Sequence, residues 1–187
     1  MKKLILAILI AGCATFAAQA QNLHFGVKGG LNIAQLTDFD GSGSRASGHV
    51  GGFVNFRFRD WALQPELLFS GQGEKYEVIF TGERKVALNY INIPVMFQYY
   101  LLPQFYLEAG PQVGFLVSAK DKGGSLTVDV KDTYNTADLA LGVGLGFKLP
   151  MGFGVYGRHN FGLTDPYDGI GDYKHSVAQI GVSYTFK

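Results

Sequence analysis

Apolar and polar residues alternate at every second position along most of the chain after its first twenty residues. Successive side chains of a β-strand point to opposite faces, so this period of two predicts strands with one apolar face. The last segment is a clear example, because one of its faces carries Ile180, Val182, Tyr184 and Phe186. No helical period competes with this pattern, and the sequence therefore predicts an all-β protein.

Eight such segments follow one another, and their connections alternate between long and short. The long polar connections are 37–47, 71–85, 120–136 and 164–173, and the short ones lie near 60, 101–103 and 150–152. A tilted strand of about ten residues crosses a bilayer. Membrane barrels have an even number of strands, short periplasmic turns and long external loops. The sequence therefore predicts an eight-stranded antiparallel up-and-down transmembrane β-barrel in a bacterial outer membrane, with both termini periplasmic.

A soluble barrel is the alternative fold, and in it the polar face would cover the outside. Only 17% of the residues are charged and 26 are glycine, whereas a soluble domain has about 25% charged residues. The face opposite the apolar one carries many glycines and few charges. Such a face fits the crowded interior of a narrow barrel better than a solvated exterior, which favours the membrane barrel.

Aromatic residues gather next to the short connections, at the ends of the predicted strands. This group consists of Trp61, Tyr99, Tyr100, Phe105, Phe153, Tyr184 and Phe186. Aromatic girdles mark the membrane–water interfaces of membrane barrels, so these residues predict the level of the periplasmic interface.

Residues 1–20 have the pattern of a secretory signal: Lys2 and Lys3, then an apolar stretch, then Ala18-Gln19-Ala20 as a cleavage site. We expect cleavage after Ala20, which leaves residues 21–187 as the barrel domain. Residues 10–13 resemble a lipoprotein box, so lipidation at Cys13 is the alternative. With cleavage after Ala20, the mature chain has no cysteine.

Three stretches carry a family resemblance: 64–70 (QPELLFS), 90–95 (YINIPV) and 106–115 (YLEAGPQVGF). They resemble the PorT-like outer-membrane β-barrel family of Bacteroidetes. The resemblance implies the barrel fold, and for the namesake it implies a part in protein export by the type IX system. The matching residues belong to the barrel wall, so that role is not carried over. Asn92 stands where the family is expected to have an acidic residue.

The final strand also resembles the assembly signal that the outer-membrane insertion machinery reads. The matching residues are Gln179, Gly181, Tyr184 and Phe186. Lys187 departs from the pattern, because the aromatic residue is usually the last one.

Five charged residues face the barrel interior by strand parity: Lys28, Arg57, Glu66, Glu108 and Arg158. Buried charges must be paired, so we expect Glu66 and Glu108 to form salt bridges with the three cations. An eight-stranded barrel is just wide enough to be filled by side chains, which predicts a plugged interior. A narrow pore lined by these charges is the alternative.

Prolines at positions 65, 94 and 111 fall inside predicted strands. A closed barrel has no edge strand on which a missing N–H is tolerated, so we expect bulges or local irregularity at these positions.

Catalysis and cofactors are not predicted. His175 and Ser176 are adjacent in sequence, but neighbouring strand residues face opposite ways, and His159 faces the membrane by parity. A nucleophile needs a base within hydrogen-bond reach, so we expect no enzyme. Acidic residues at 38, 40, 165, 168 and 172 match no metal-binding loop, and we expect no metal or cofactor.

Two functions remain open. One is a structural or surface-interaction role through the four external loops, and the other is a component of a secretion or envelope complex. The expected partners are outer-membrane lipid, the insertion machinery and an extracellular or envelope protein. The formal net charge of +1 gives no basic face for nucleic acid.

Overall fold

The computed structural model describes residues 23–37, 42–78, 82–123, 126–129, 135–164 and 174–186. The proposed signal segment, Cys13 and the acidic residues at 38, 40, 165, 168 and 172 lie outside these ranges. The strands are β1 Leu23–Thr37, β2 Ser42–Arg57, β3 Trp61–Val78, β4 Gly82–Tyr100, β5 Phe105–Gly123, β6 Leu126–Asp129, β7 Ala137–Lys148, β8 Phe153–Gly162 and β9 Lys174–Thr185, with a short 3-10 turn at Pro150–Gly152.

Eight of these strands form one closed antiparallel ring. Each pairs with its neighbours in the chain, β5 pairs with β7, and β1 pairs with β9 to close the barrel. Strand β6 pairs with the far end of β5 and extends that strand as a short hairpin. The predicted eight-stranded barrel is therefore confirmed, and closure leaves no unpaired sheet edge around the ring.

The two faces of the wall differ as the alternation predicts. Along β8 every second residue is buried and the intervening residues are exposed or half-buried. The exposed side chains are mostly large and apolar, among them Leu31, Val50, Leu67, Phe97, Leu145, Phe161 and Ile180. An apolar exterior of this extent, with polar groups buried inside, requires lipid around it.

Strand length varies around the ring. Strands β3, β4 and β5 contain 18, 19 and 19 residues, whereas β8 contains 10. About ten residues suffice to cross a membrane, so the longer strands continue beyond it at the rim opposite the termini. The predicted loops 71–85 and 120–136 are thus strand over part of their length. These segments are polar because they lie outside the membrane, and their backbones still form strand hydrogen bonds.

Prolines interrupt the ladders without changing the register. The β3–β4 ladder is interrupted after Pro65, and the β4–β5 ladder between Pro94 and Phe97, opposite Pro111. In each case both strands skip the same number of residues. The register shifts lie elsewhere, at Ser44–His49 in β2 and at Asn89–Tyr90 in β4. The prediction of bulges or local irregularity at the prolines is therefore confirmed, in the form of gaps in the ladders that leave the register unchanged.

Glycines on the inner face make room for large aromatic side chains. A methyl group at Gly181 would lie 2.8 Å from the Tyr156 hydroxyl, and one at Gly146 would overlap the Tyr106 ring. Small residues on one strand therefore allow a tyrosine on another strand to cross the narrow lumen. Among the described residues, no helix is long and apolar enough to span a membrane.

Candidate functional site

The centre of the lumen holds two basic and two acidic side chains, which we call the ion cluster: Lys28, Glu66, Glu108 and Arg158. The Lys28 Nζ donates to both Glu66 carboxylate oxygens, at 3.0 and 3.2 Å. Arg158 forms a bidentate pair with Glu66, with Nη2–Oε1 at 2.8 Å and Nη1–Oε2 at 3.0 Å. Its Nε donates to Glu108 Oε1 at 2.8 Å. Two cations therefore neutralise two carboxylates within one bonded group.

Amide side chains complete the bonding of the carboxylates. Gln64 Nε2 donates to Glu66 Oε1 at 2.9 Å, and Gln98 Nε2 donates to Glu108 Oε2 at 3.1 Å. Asn55 Nδ2 in turn donates to the carbonyl oxygens of Gln64 and Gln98, at 2.8 and 3.0 Å. All four carboxylate oxygens of the cluster thus accept hydrogen bonds, which a buried ion pair needs to offset its desolvation.

A second polar network continues from Lys28. The Lys28 Nζ lies 3.8 Å from the Tyr156 ring centroid, and the Tyr156 hydroxyl is hydrogen-bonded to His49 Nε2. His49 Nδ1 bonds Asn32 Oδ1 at 2.6 Å, and Gln179 Nε2 donates to the same oxygen at 3.0 Å. Sequence reasoning missed His49 and Asn32. Their inward parity, opposite the apolar face of β1 and β2, was the signal that could have identified them.

Arg57 lies apart from the ion cluster. Its guanidinium stacks 3.2 Å from the Tyr100 ring centroid, and its Nε donates to the Phe58 carbonyl at 3.2 Å. Arg57 pairs with Ala62 across β2–β3, whereas Glu66 is four residues further along β3. That separation is about 13 Å along a strand. The expected salt bridge from Arg57 to Glu66 or Glu108 is therefore replaced by stacking at the rim near the termini.

Three buried amides form what we call the amide wall: Asn92 on β4, Gln112 on β5 and Asn160 on β8. Both side-chain polar atoms of Asn92, the Gln112 Oε1 and the Asn160 Oδ1 have no hydrogen-bond partner within the protein. A methyl group at Gly142 would lie 2.8 Å from Asn160 Oδ1 and 3.5 Å from Arg158 Cδ. The amide wall is therefore next to the ion cluster, on the side away from the termini.

Little space remains beside the ion cluster. A cavity there has a volume of about 20 Å³ and is lined by Lys28, Gln64, Tyr106, Lys148 and Tyr156, among others. This volume accommodates about one water molecule. The lumen at this level is thus filled by side chains.

The four residues that match the assembly signal are divided between the two faces of β9. Gln179 is buried inside the barrel, and Gly181 also faces inward, towards Tyr156. Tyr184 faces outward, with its ring 5.1 Å from that of Phe153 and 5.6 Å from that of Phe186. Strand β9 therefore has small and polar residues on its inner face and aromatic residues on its outer face near its C-terminal end.

A polar pair lies on the outer face of the barrel. His159 Nε2 is 3.0 Å from Ser176 Oγ, and the His159 ring is 4.4 Å from that of Phe161. Ser176 is the cross-strand partner of Phe161, so the three side chains share the membrane-facing side. The structure therefore brings Ser176 to His159. Within the described ranges, no group of three or more metal-ligating residues occurs.

A closed ring of eight antiparallel strands, with an apolar outside and an ion-paired inside, defines a small transmembrane β-barrel protein. Residues 18–168 match the family described as outer membrane protein beta-barrel domain. The chain belongs to this family, and it is a protein of the bacterial outer membrane.

Solved structures with the same fold are distant in sequence. Ail, the attachment invasion locus protein of Yersinia pestis, has a TM-score of 0.53 and 16% identity, covering 87% of this chain and 98% of Ail. Neisserial surface protein A has a TM-score of 0.57 and 12% identity, covering 87% of this chain and 97% of that protein. Ail in complex with the heparin analogue sucrose octasulfate has a TM-score of 0.54 and 17% identity, covering 88% and 99%. These likenesses concern the fold alone. No curated protein sequence matches the chain.

Proposed function

We propose that the chain is a closed-lumen barrel that acts at the cell surface through its external loops, with both termini in the periplasm. The observation that carries this proposal is the buried, fully bonded ion cluster, in which the side chains of Glu66 and Arg158 are 0% exposed. Because the lumen is filled in this way, we expect the barrel to act through its external loops and not as a channel.

The ion cluster resists opening. A path through the lumen would have to separate Glu66 from Lys28 and Arg158, and removing one partner of a buried ion pair costs about 3–5 kcal/mol. The cavity next to the cluster, of about 20 Å³, has room for roughly one water molecule. Both features favour the plugged interior over the narrow pore.

The rim opposite the termini supports an interaction role. Strands β3, β4 and β5 exceed the length of β8 by about eight residues each, which corresponds to roughly 20 Å of extra strand height at a 40° tilt. The added segments remain paired with one another, so they form a β platform that presents the loops. Loops presented in this way are suited to binding an extracellular protein or a matrix component.

The second candidate is a component of a secretion or envelope complex, as the PorT-like resemblance of the wall stretches implies. In that case the lipid-facing or periplasmic surfaces would contact other membrane proteins. We expect no catalytic activity in either case.

Replacing residues 124–136, a segment that includes β6, with a short turn separates the two candidates. We expect loss of binding of intact cells to host-cell or matrix surfaces, with secretion of other proteins unchanged. Replacement of the short turn 101–103 at the other end provides the matched control, and heat-modifiable migration on gels verifies that both variants fold. Unchanged binding together with failed secretion would contradict the surface role and favour the envelope complex.

A further inference from the structure

The His159–Ser176 pair is a polar group on the membrane-facing surface. The neighbouring outward positions on β7, β8 and β9 are apolar, for example Val143, Phe161 and Ile180. A polar group in contact with lipid tails is costly, and such groups are functional-site candidates in membrane proteins. The pair makes one hydrogen bond between its own side chains, at 3.0 Å, and both residues have outward parity.

The depth of the pair follows from the strand geometry. Phe153 and Tyr184 lie in contact at the aromatic level near the termini, and Ser176 lies opposite Phe161, about eight residues further along β8. At about 3.3 Å per residue and a tilt of about 40°, Ser176 is roughly 20 Å from that level. The apolar band of a bacterial barrel is about 25 Å tall, so Ser176 lies just inside the opposite interface.

Lys174 extends the same outward face beyond Ser176. It has the same parity on β9 and is exposed, and by the same geometry it lies about 5 Å higher, at the interface itself. From the membrane outwards the seam between β8 and β9 thus presents an imidazole, a hydroxyl and an ammonium group. An ammonium group makes charge-assisted hydrogen bonds to phosphate oxygens, and an imidazole N–H and a hydroxyl also donate to them.

We propose that His159, Ser176 and Lys174 form a binding site for the phosphate of an outer-leaflet glycolipid, with Phe161 packing against its first acyl-chain carbons. The height of the group matches the position where a phosphorylated sugar headgroup meets its acyl chains. The site rests on the proposed orientation, because only that orientation places this rim in the outer leaflet.

Native mass spectrometry of the full-length barrel released from detergent micelles tests the site. The probes are monophosphorylated lipid A, the same lipid after phosphatase treatment, and phosphatidylethanolamine. We expect the phosphorylated glycolipid to bind about tenfold or more tightly than its dephosphorylated form. We also expect the double variant His159→Leu/Ser176→Ala to lose about tenfold in affinity, and Lys174→Gln to lose several-fold.

The matched control is Phe69→Leu, an outward residue of β3 at a similar strand height on the opposite wall. It should bind like the wild type, and the heat-modifiable gel shift verifies folding of every variant. Equal binding of the two glycolipid forms, or unchanged binding by the double variant, would overturn the site. Release of fatty acid from the probe would overturn the lipid site and show that the pair hydrolyses lipid. A dimer of barrels that disappears only in the double variant would also overturn the lipid site and show that the pair mediates self-association.

Failure of the site is distinguishable from failure of the surface role. A preference for phosphatidylethanolamine that depends on His159 and Ser176 would overturn the phosphorylated glycolipid as the ligand, without bearing on the loops. Lipid binding as expected, with the loop replacement leaving surface binding intact, would overturn the surface role alone.

Discussion

The ion cluster and the amide wall lie side by side in the same lumen and are equally buried, yet their bonding differs. Every carboxylate oxygen of Glu66 and Glu108 has a protein partner, whereas Asn92 has none for either polar atom of its side chain. Buried polar groups are normally bonded to protein or ordered water. The difference indicates that the protein itself supplies every partner of the cluster's carboxylates, whereas it leaves polar atoms of the amide wall without a protein partner.

The difference also concerns the role of each region. Charges leave water only when they are paired, so the ion cluster ties β1, β3, β5 and β8 together across the lumen. Neutral amides tolerate hydration, so the amide wall does not fix distant strands to one another. Closure of the lumen is therefore expected to depend on the first region and to be insensitive to the second.

The largest effect is expected from Glu66→Leu. The substitution leaves Lys28 and Arg158 buried with reduced compensation, and we expect the free energy of unfolding to fall by about 3–5 kcal/mol. Urea titration in lipid vesicles, followed by tryptophan fluorescence of Trp61, measures it. A loss below about 1 kcal/mol would remove the distinction between the two regions.

An intermediate effect is expected from His49→Leu. It breaks the link between Tyr156 and Asn32, but Gln179 still bonds Asn32 Oδ1. We expect a loss of about 1–3 kcal/mol, the cost of leaving one buried hydroxyl without its partner. The same urea titration applies, and a loss equal to that of Glu66→Leu would show that the neutral network contributes as much as the charges.

The smallest effect is expected from Asn92→Leu. Its amide makes no hydrogen bond within the protein, so replacement by a side chain of similar size should change the free energy of unfolding by less than about 1 kcal/mol. Gln112→Leu provides a second measurement on the same wall. If either variant costs as much as Glu66→Leu, the amide wall is bonded as tightly as the ion cluster.

Sequence alone predicted the wall of the barrel well. Alternation placed Lys28, Glu66, Glu108 and Arg158 inside, because strand parity depends only on counting residues. It could not choose partners, because Arg57 has the right parity but lies about 13 Å along the strand from Glu66. Strand parity predicts which face of the wall a residue occupies. Salt-bridge partners must also lie at the same height along the barrel axis, and that height is set by the register between strands.

Other features were not predictable from the sequence for related reasons. The ends of β3, β4 and β5 are rich in polar residues, so composition indicated loops where the backbone is still paired, although Tyr76 and Val78 suggested that the strands extend there. The pairing of His159 with Ser176 joins residues 17 positions apart through the β8–β9 register. Neither the length of a solvated hairpin nor the register of two strands is encoded in the alternation.

Single-channel recording in planar bilayers tests the closed lumen most directly. Wild-type barrel, verified as folded by its heat-modifiable gel shift, is predicted to give a flat current record at 1 M KCl. The paired variant Glu66→Ala/Arg158→Ala, which removes the centre of the ion cluster, is predicted to give current steps under the same conditions. Stable, uniform steps from the wild-type protein would contradict the account, because they would show that ions pass a lumen with the ion cluster intact.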